Sequence, residues 1–138
     1  MVPTNPIPRE GVLVLTVPTG VTVPSDDVST FSMICSAGCS TGSGTLSYDS
    51  STRELTIESA FTSFMQASNT LTFSITGWTN PSDTSTYEFA LATYFKPSTT
   101  LYGIETFSGL EITAESSACY VLTANITLGD NRIYAEPT

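Results

Sequence analysis

Without a single histidine, this chain cannot build the Ser-His-Asp or Cys-His relays that activate a hydroxyl or thiol nucleophile. A zinc centre is excluded on similar grounds, because it takes about four thiolate or imidazole ligands and the chain offers only Cys35, Cys39 and Cys119. Paired carboxylates, one with a raised pKa, could still do glycosidase chemistry. Yet Glu54, Glu58, Glu88, Glu105 and Glu111 fall on the polar phases of strand-like segments or beside turns, where solvated carboxylates are ordinary. The sequence therefore assigns no catalytic residue and no cofactor, and the expectation is a protein that is not an enzyme. Asp26, Asp27 and Asp130 supply hard oxygens of the kind calcium takes. No EF-hand spacing surrounds them, and Asp and Asn in turns ordinarily bond their own backbone. They are the only metal candidates.

Covalent chemistry is better represented. In an oxidising compartment three cysteines imply one bonded pair and one remaining thiol. Cys119 pairing with Cys35 or Cys39, a local ring between Cys35 and Cys39 across Ser-Ala-Gly, and no bond at all each stay open. Cys119 shares strand phase with Thr123 and Asn125, the polar face. Asn125-Ile126-Thr127 is an N-glycosylation sequon with its asparagine on that outward phase, so a glycan is expected there. Ser and Thr fill about a third of the chain, a bias of cell-surface and O-glycosylated proteins, which nominates the loops at 36–43 and 97–100 for O-linked sugars.

Charged residues are 12% of the chain, about half the share of an average soluble domain. The net charge is −9, and Arg9, Arg53, Lys96 and Arg132 lie too far apart in sequence to form a basic stripe, which argues against nucleic-acid binding. No apolar run approaches the ~18 residues of a membrane span. The first residues lack a signal peptide's charged start and apolar core, so a mature protein or a fragment of one is expected. Together these features point to an extracellular protein.

The elements that must position these groups read as strands. With 138 residues the chain is long enough for one core, and strand signals recur about every ten residues between Gly, Pro, Ser and Asp clusters, the rhythm of a β-sandwich. Residues 11–18 (GVLVLTVP) are apolar on both phases, which predicts a central strand. Short strands follow at 21–23 and 28–35. Residues 45–48 and 54–58 form a hairpin, with Leu46 and Tyr48 matching Leu55 and Ile57 in period two. The segment 60–66 is helical in pattern, with Phe61, Phe64 and Met65 on one side, and predicts a single turn plugging the core. Further strands are expected at 71–78, 86–95, 101–104, 110–113 and 120–128. Leu13, Leu15, Leu55, Ile57, Phe73, Ile75, Phe89 and Leu91 are the expected core. The predicted fold is all-β: an immunoglobulin-like antiparallel two-sheet sandwich of about nine strands with almost no helix.

Short motifs across most of the chain resemble a repeated Ig-like module of large Ser/Thr-rich surface proteins of ciliates and other protists. They are Thr4-Asn5-Pro6-Ile7-Pro8 with Gly11 and a strand ending in Val17-Pro18; Leu55-Thr56-Ile57 before Ala60-Phe61; Asn80-Pro81-Ser82 through Phe89 and Thr93-Tyr94; and Ser108-Gly109-Leu110. The third cysteine departs from that pattern. Reading the tail onto the head gives the module's order of segments, so the chain resembles one repeat cut at an unusual point. The resemblance implies a structural or adhesive role outside the cell and supplies no catalytic residues.

Residues 1–10 are then expected to be an extended linker and contact segment, 11–128 the sandwich, and 129–138 a tail reaching a neighbour. An apolar final strand with unpaired backbone groups must be protected or will recruit a partner, a donor-strand logic like that of bacterial pilins by analogy. Pro6, Ile7, Tyr120, Leu122, Ile126, Leu128, Ile133 and Tyr134 are the contact candidates between copies. Head-to-tail contacts are heterologous and make open fibres. The expectation is a structural subunit of an extracellular filament or surface coat. The alternative is an adhesion or carbohydrate-binding module of a larger surface protein, with Trp78, Tyr94 and Tyr102 as its sugar platform.

Overall fold

The computed structural model describes residues 1–24, 30–36, 39–113, 123–127 and 134–135. Among them are nine strand segments and no helix: β1 (Gly11–Thr16), β2 (Thr30–Cys35), β3 (Thr45–Asp49), β4 (Glu54–Glu58), β5 (Leu71–Thr76), β6 (Thr86–Phe95), β7 (Tyr102–Thr113), β8 (Thr123–Thr127) and β9 (Tyr134–Ala135). They form two antiparallel sheets, one in the order β3-β4-β1-β6-β7 and the other β2-β5-β8-β9. Both sheets turn alternate side chains into one core. The first supplies Leu13, Leu15, Leu55, Ile57, Phe89 and Leu91, and the second Met33, Leu71, Phe73 and Ile75. The molecule is a β-sandwich, and all eight core residues expected from period-two alternation are buried.

β1 is flanked by β4 and β6, so its second apolar phase is covered as well: Val12 lies beside Tyr94, and Val14 between Thr56 and Ala92. The β3–β4 hairpin has the expected register, Leu46 opposite Ile57 and Tyr48 opposite Leu55.

Four expectations are overturned. Residues 60–66 form no helix. They run extended, with bridges from Phe61 to Thr41 and Met65 to Ile7, and Phe64 points outward at 46% exposure. Four-residue spacing of Phe61 and Met65 imitates a helical stripe, but cross-chain hydrogen bonds win over so short a segment. The two short strands expected around Ser108-Gly109 are one, β7. Gly109 takes φ 76°, where glycine meets no steric cost, and a bulge opposite Ala90 absorbs the extra residue. The Gly109 N–H donates to a Glu88 carboxylate oxygen at 2.8 Å. Residues 21–23 form no strand of their own, only a bridge between Thr22 and Thr79.

The fourth correction concerns residues 1–10, expected to be an extended linker and contact segment. Met1 and Ile7 are 2% and 0% exposed and belong to the central cluster. The Ile7 N–H donates to the Met65 carbonyl at 3.0 Å and the Met65 N–H returns the bond at 2.8 Å. The Ser68 N–H donates to Pro3, and the Leu71 N–H to Met1. Prolines hold the segment extended, so it lies strand-like along 65–71. Glu105 of β7 pins its outer side, accepting the N–H groups of Thr4 and Asn5 at 2.9 and 3.2 Å.

Candidate functional site

The strand registers divide the sandwich into two ends of different chemistry. β1 runs from Gly11, opposite Phe95, to Thr16, opposite Glu54 and Ala90. At the Thr16 end gather the β3–β4 turn, the loop after β1 and the approach to β6. At the Gly11 end gather the Pro8–Gly11 turn, the end of β4, and the β6–β7 turn.

Arg53 organises the first end. Its Nε donates to the Val17 carbonyl at 3.0 Å, and its Nη2 to Pro18 and Val21 at 2.6 Å each. The Val17 N–H donates back to the Arg53 carbonyl at 2.9 Å. One of the few cations is thus committed to carbonyls of its own chain, and the charge presented outward is acidic. Asp49 accepts both the N–H and the hydroxyl of Ser51, at 2.8 and 2.6 Å, which together hold its carboxyl below the usual carboxylate range. Asp83 accepts the Ser85 N–H at 3.0 Å and the Tyr87 hydroxyl at 2.9 Å, and its pKa is lowered by those bonds while that of the Tyr87 phenol is raised. Both carboxylates are exposed.

The opposite end carries a shallow depression of about 500 Å³, lined among others by Arg9, Glu10, Glu58, Phe61, Thr62 and Lys96. The Gly11 N–H donates to the Pro8 carbonyl at 2.9 Å and closes a turn that projects Arg9 and Glu10. Lys96 forms an ion pair with Glu58, and its own N–H donates to the Glu10 carbonyl. Arg9 is exposed and belongs to no ion pair among the described residues.

Of the cysteine alternatives, the structure takes the local ring: Cys35 and Cys39 are bonded, with Cα atoms 5.9 Å apart. The ring closes the exit of β2, where the Ser36 N–H donates to Thr70 and the Ser36 hydroxyl accepts the Thr70 N–H. The pairings with Cys119 are thereby set aside; Cys119 itself lies outside the described residues. So do Asp26, Asp27, Asp130, Tyr120, Leu122, Leu128 and Ile133. Among the described residues, no three Cys, Asp or Glu side chains converge as a metal would require.

The final strands lie on their own sheet. β8 pairs with β5, Asn125 opposite Ser74 and Ile126 opposite Phe73, and β9 sets Tyr134 opposite Asn125. The Ser74 hydroxyl bonds that of Ser32 at 2.7 Å on the exposed face, so Asn125 holds a register position in a polar row. Ile7, a contact candidate, is buried inside its own domain and cannot reach a neighbour; Pro6 is exposed. The aromatic platform is not formed. Trp78 is 8% exposed and stacks on Phe89 with ring centroids 6.3 Å apart, at the end of the sandwich opposite Tyr94 and Tyr102.

The Met1 ammonium donates to the Leu71 carbonyl at 2.8 Å, and burial pushes its pKa from the ordinary 8.0 to about 5. Between those values the unfolded chain holds a proton that the folded one has released. Through this group stability is therefore expected to rise with pH from about 5 to 8. No histidine masks this window. Urea midpoints across it would show the slope, and N-terminal acetylation should abolish it; equal slopes with and without the acetyl group would reject the assignment.

Sequence reasoning missed Arg53, Glu105 and the Lys96–Glu58 pair. For the ion pair the scarcity of cations was the available signal, since each of four in a chain of net charge −9 has many acids to choose from, whereas Arg53 and Glu105 bond backbone groups that residue identity does not announce. Set against known protein families, curated proteins and solved structures, the chain matches none.

Proposed function

We propose that this chain is an immunoglobulin-like structural subunit of an extracellular filament or surface coat, its copies associating head-to-tail. The observation that carries the reading is the placement of the two terminal segments. Residues 1–7 run along 65–71 at the Gly11 end. β8 descends towards that end, from Thr123 opposite Thr76 to Thr127 opposite Thr72, and β9, antiparallel to it, heads back towards the other. The described backbone thus enters at one end of the sandwich and points out at the opposite one. A copy stacked end to end brings the exit of one subunit to the entrance of the next, whether the copies are joined covalently or not. Among the described residues β9 pairs with β8 at Ala124 and Asn125, along a sheet edge that a neighbour's strand could extend. The burial of Met1 and Ile7 moves the contact from those side chains to the outer surface of the ends.

The resemblance to repeated Ig-like surface modules, the local disulfide and the hydroxyl-rich composition support an extracellular setting. Within this reading Asn125 carries a glycan and the loops at 36–43 and 97–100 carry O-linked sugars. Negative-stain imaging of native material, with intact mass measured before and after glycosidase treatment, is the test. Fibres or ordered coats with a mass loss are expected. Dispersed single particles of unmodified mass would reject the reading.

A further inference from the structure

The two ends differ in charge as well as in chain direction. At the Thr16 end the described charged groups are Asp49, Glu54 and Asp83, with Glu88 and its partner Glu111 just behind, against the single cation Arg53, which is turned to its own carbonyls. At the Gly11 end Glu10 and Glu58 stand beside Arg9 and Lys96, Glu105 is turned to the N–H groups of Thr4 and Asn5, and Arg9 is exposed. On a molecule of net charge −9, Arg9 is the described cation that is both exposed and outside any ion pair, while Lys96 beside it is shared with Glu58. Two acidic ends brought together would repel, because at contact their carboxylates lie within the Debye length of about 8 Å at physiological ionic strength. Among the described residues, the end bearing Arg9 is the one at which an exposed, unpaired cation can answer the acidic end of a copy.

Resting on the filament reading above, we propose that copies of this chain meet end to end through charge, the Asp49 and Asp83 turns of one subunit seated on the Arg9/Lys96 depression of the next. Several features prepare the groups for this. Asp49 and Asp83 are fixed by bonds from Ser51, Ser85 and Tyr87, so little side-chain freedom remains to be lost on contact. Arg9 stands at the tip of a turn closed by the Gly11 N–H, and the depression beside it is concave with Phe61 in its wall. Acid-to-cation contact also sets polarity: it disfavours acid-to-acid pairing and leaves the directional arrangement that propagates without closing.

The test is a charge swap on the full chain. Arg9→Glu, alone and with Lys96→Glu, should weaken self-association at least tenfold in sedimentation velocity, and wild-type association should weaken steeply between about 0.02 and about 0.5 M salt. The Asp49→Lys/Asp83→Lys variant should likewise fail alone. Mixing it with Arg9→Glu/Lys96→Glu should restore assembly, because every junction in an alternating copolymer then pairs acid with base. Melting temperature guards against misfolding, and Arg9→Glu, at an exposed residue outside any described ion pair, keeps the test decisive if Lys96→Glu disturbs the Glu58 pair. Wild-type fibres that Arg9→Glu leaves unchanged, or a mixture that stays dispersed while wild type assembles, would overturn the charge-matched ends and leave the filament reading standing. A wild type that stays monomeric at every concentration and salt would overturn both.

Discussion

Deleting residues 1–7 is expected to unfold the domain. The segment buries Met1 and Ile7 and supplies backbone partners to Met65, Ser68 and Leu71. Truncating a fully buried Ile or Met to Ala costs about 2–5 kcal/mol, because the surrounding core closes only partly over the gap. Ile7→Ala alone should therefore cost about 3 kcal/mol. The deletion removes both side chains and returns the backbone groups of Met65, Ser68 and Leu71 to water. Against a total stability of about 5–15 kcal/mol that is a loss few small domains survive. Urea denaturation followed by circular dichroism measures it. A truncated protein with an unchanged midpoint would show that the segment is an accessory after all.

Arg53→Ala carries the second large effect. Hydrogen bonds from a charged donor are worth about 1.5–3 kcal/mol each when a partly buried acceptor would otherwise go unpaired. Arg53 serves three carbonyls, and some of them can turn to water once it is gone, so a net loss of about 2–4 kcal/mol is expected. Lysine should not rescue it, since a single ammonium lacks the planar fork that reaches Val17, Pro18 and Val21 together. Backbone conformation adds a finer expectation. Arg53 sits at φ 58°, which favours glycine, so Arg53→Gly should be about 1 kcal/mol less destabilising than Arg53→Ala. Thermal melts of the three variants test the order, and an alanine variant as stable as wild type would show that the guanidinium bonds are not needed.

What the sequence determined by itself is the part set by local alternation. A β-strand sends successive side chains to opposite faces, so the apolar phase of residues 55–57, 71–75 and 89–91 named the core, and two apolar phases at 11–18 named the central strand of its sheet. The absence of histidine fixed what chemistry was out of reach for the same reason: it needs only residue identity. The tertiary structure decided everything that depends on a distant partner. Phe61 and Met65 share one spacing in a helix and in an extended segment bridged at both positions, and only Thr41 and Ile7 across the chain select the second. Proline-rich residues 1–7 read as a linker until Met65 and Leu71 meet them. Ser108-Gly109 reads as a turn until β6 holds the strand on either side and a bulge takes up the slack. The choice of cysteine partner was left open because the sequence offered Cys35 both a near partner and the remote Cys119, and the charge difference between the ends required the strand registers. Local periodicity fixes which face of a strand is buried, whereas contacts between segments remote in sequence are set by the closure of the whole sandwich, and no window of residues contains them.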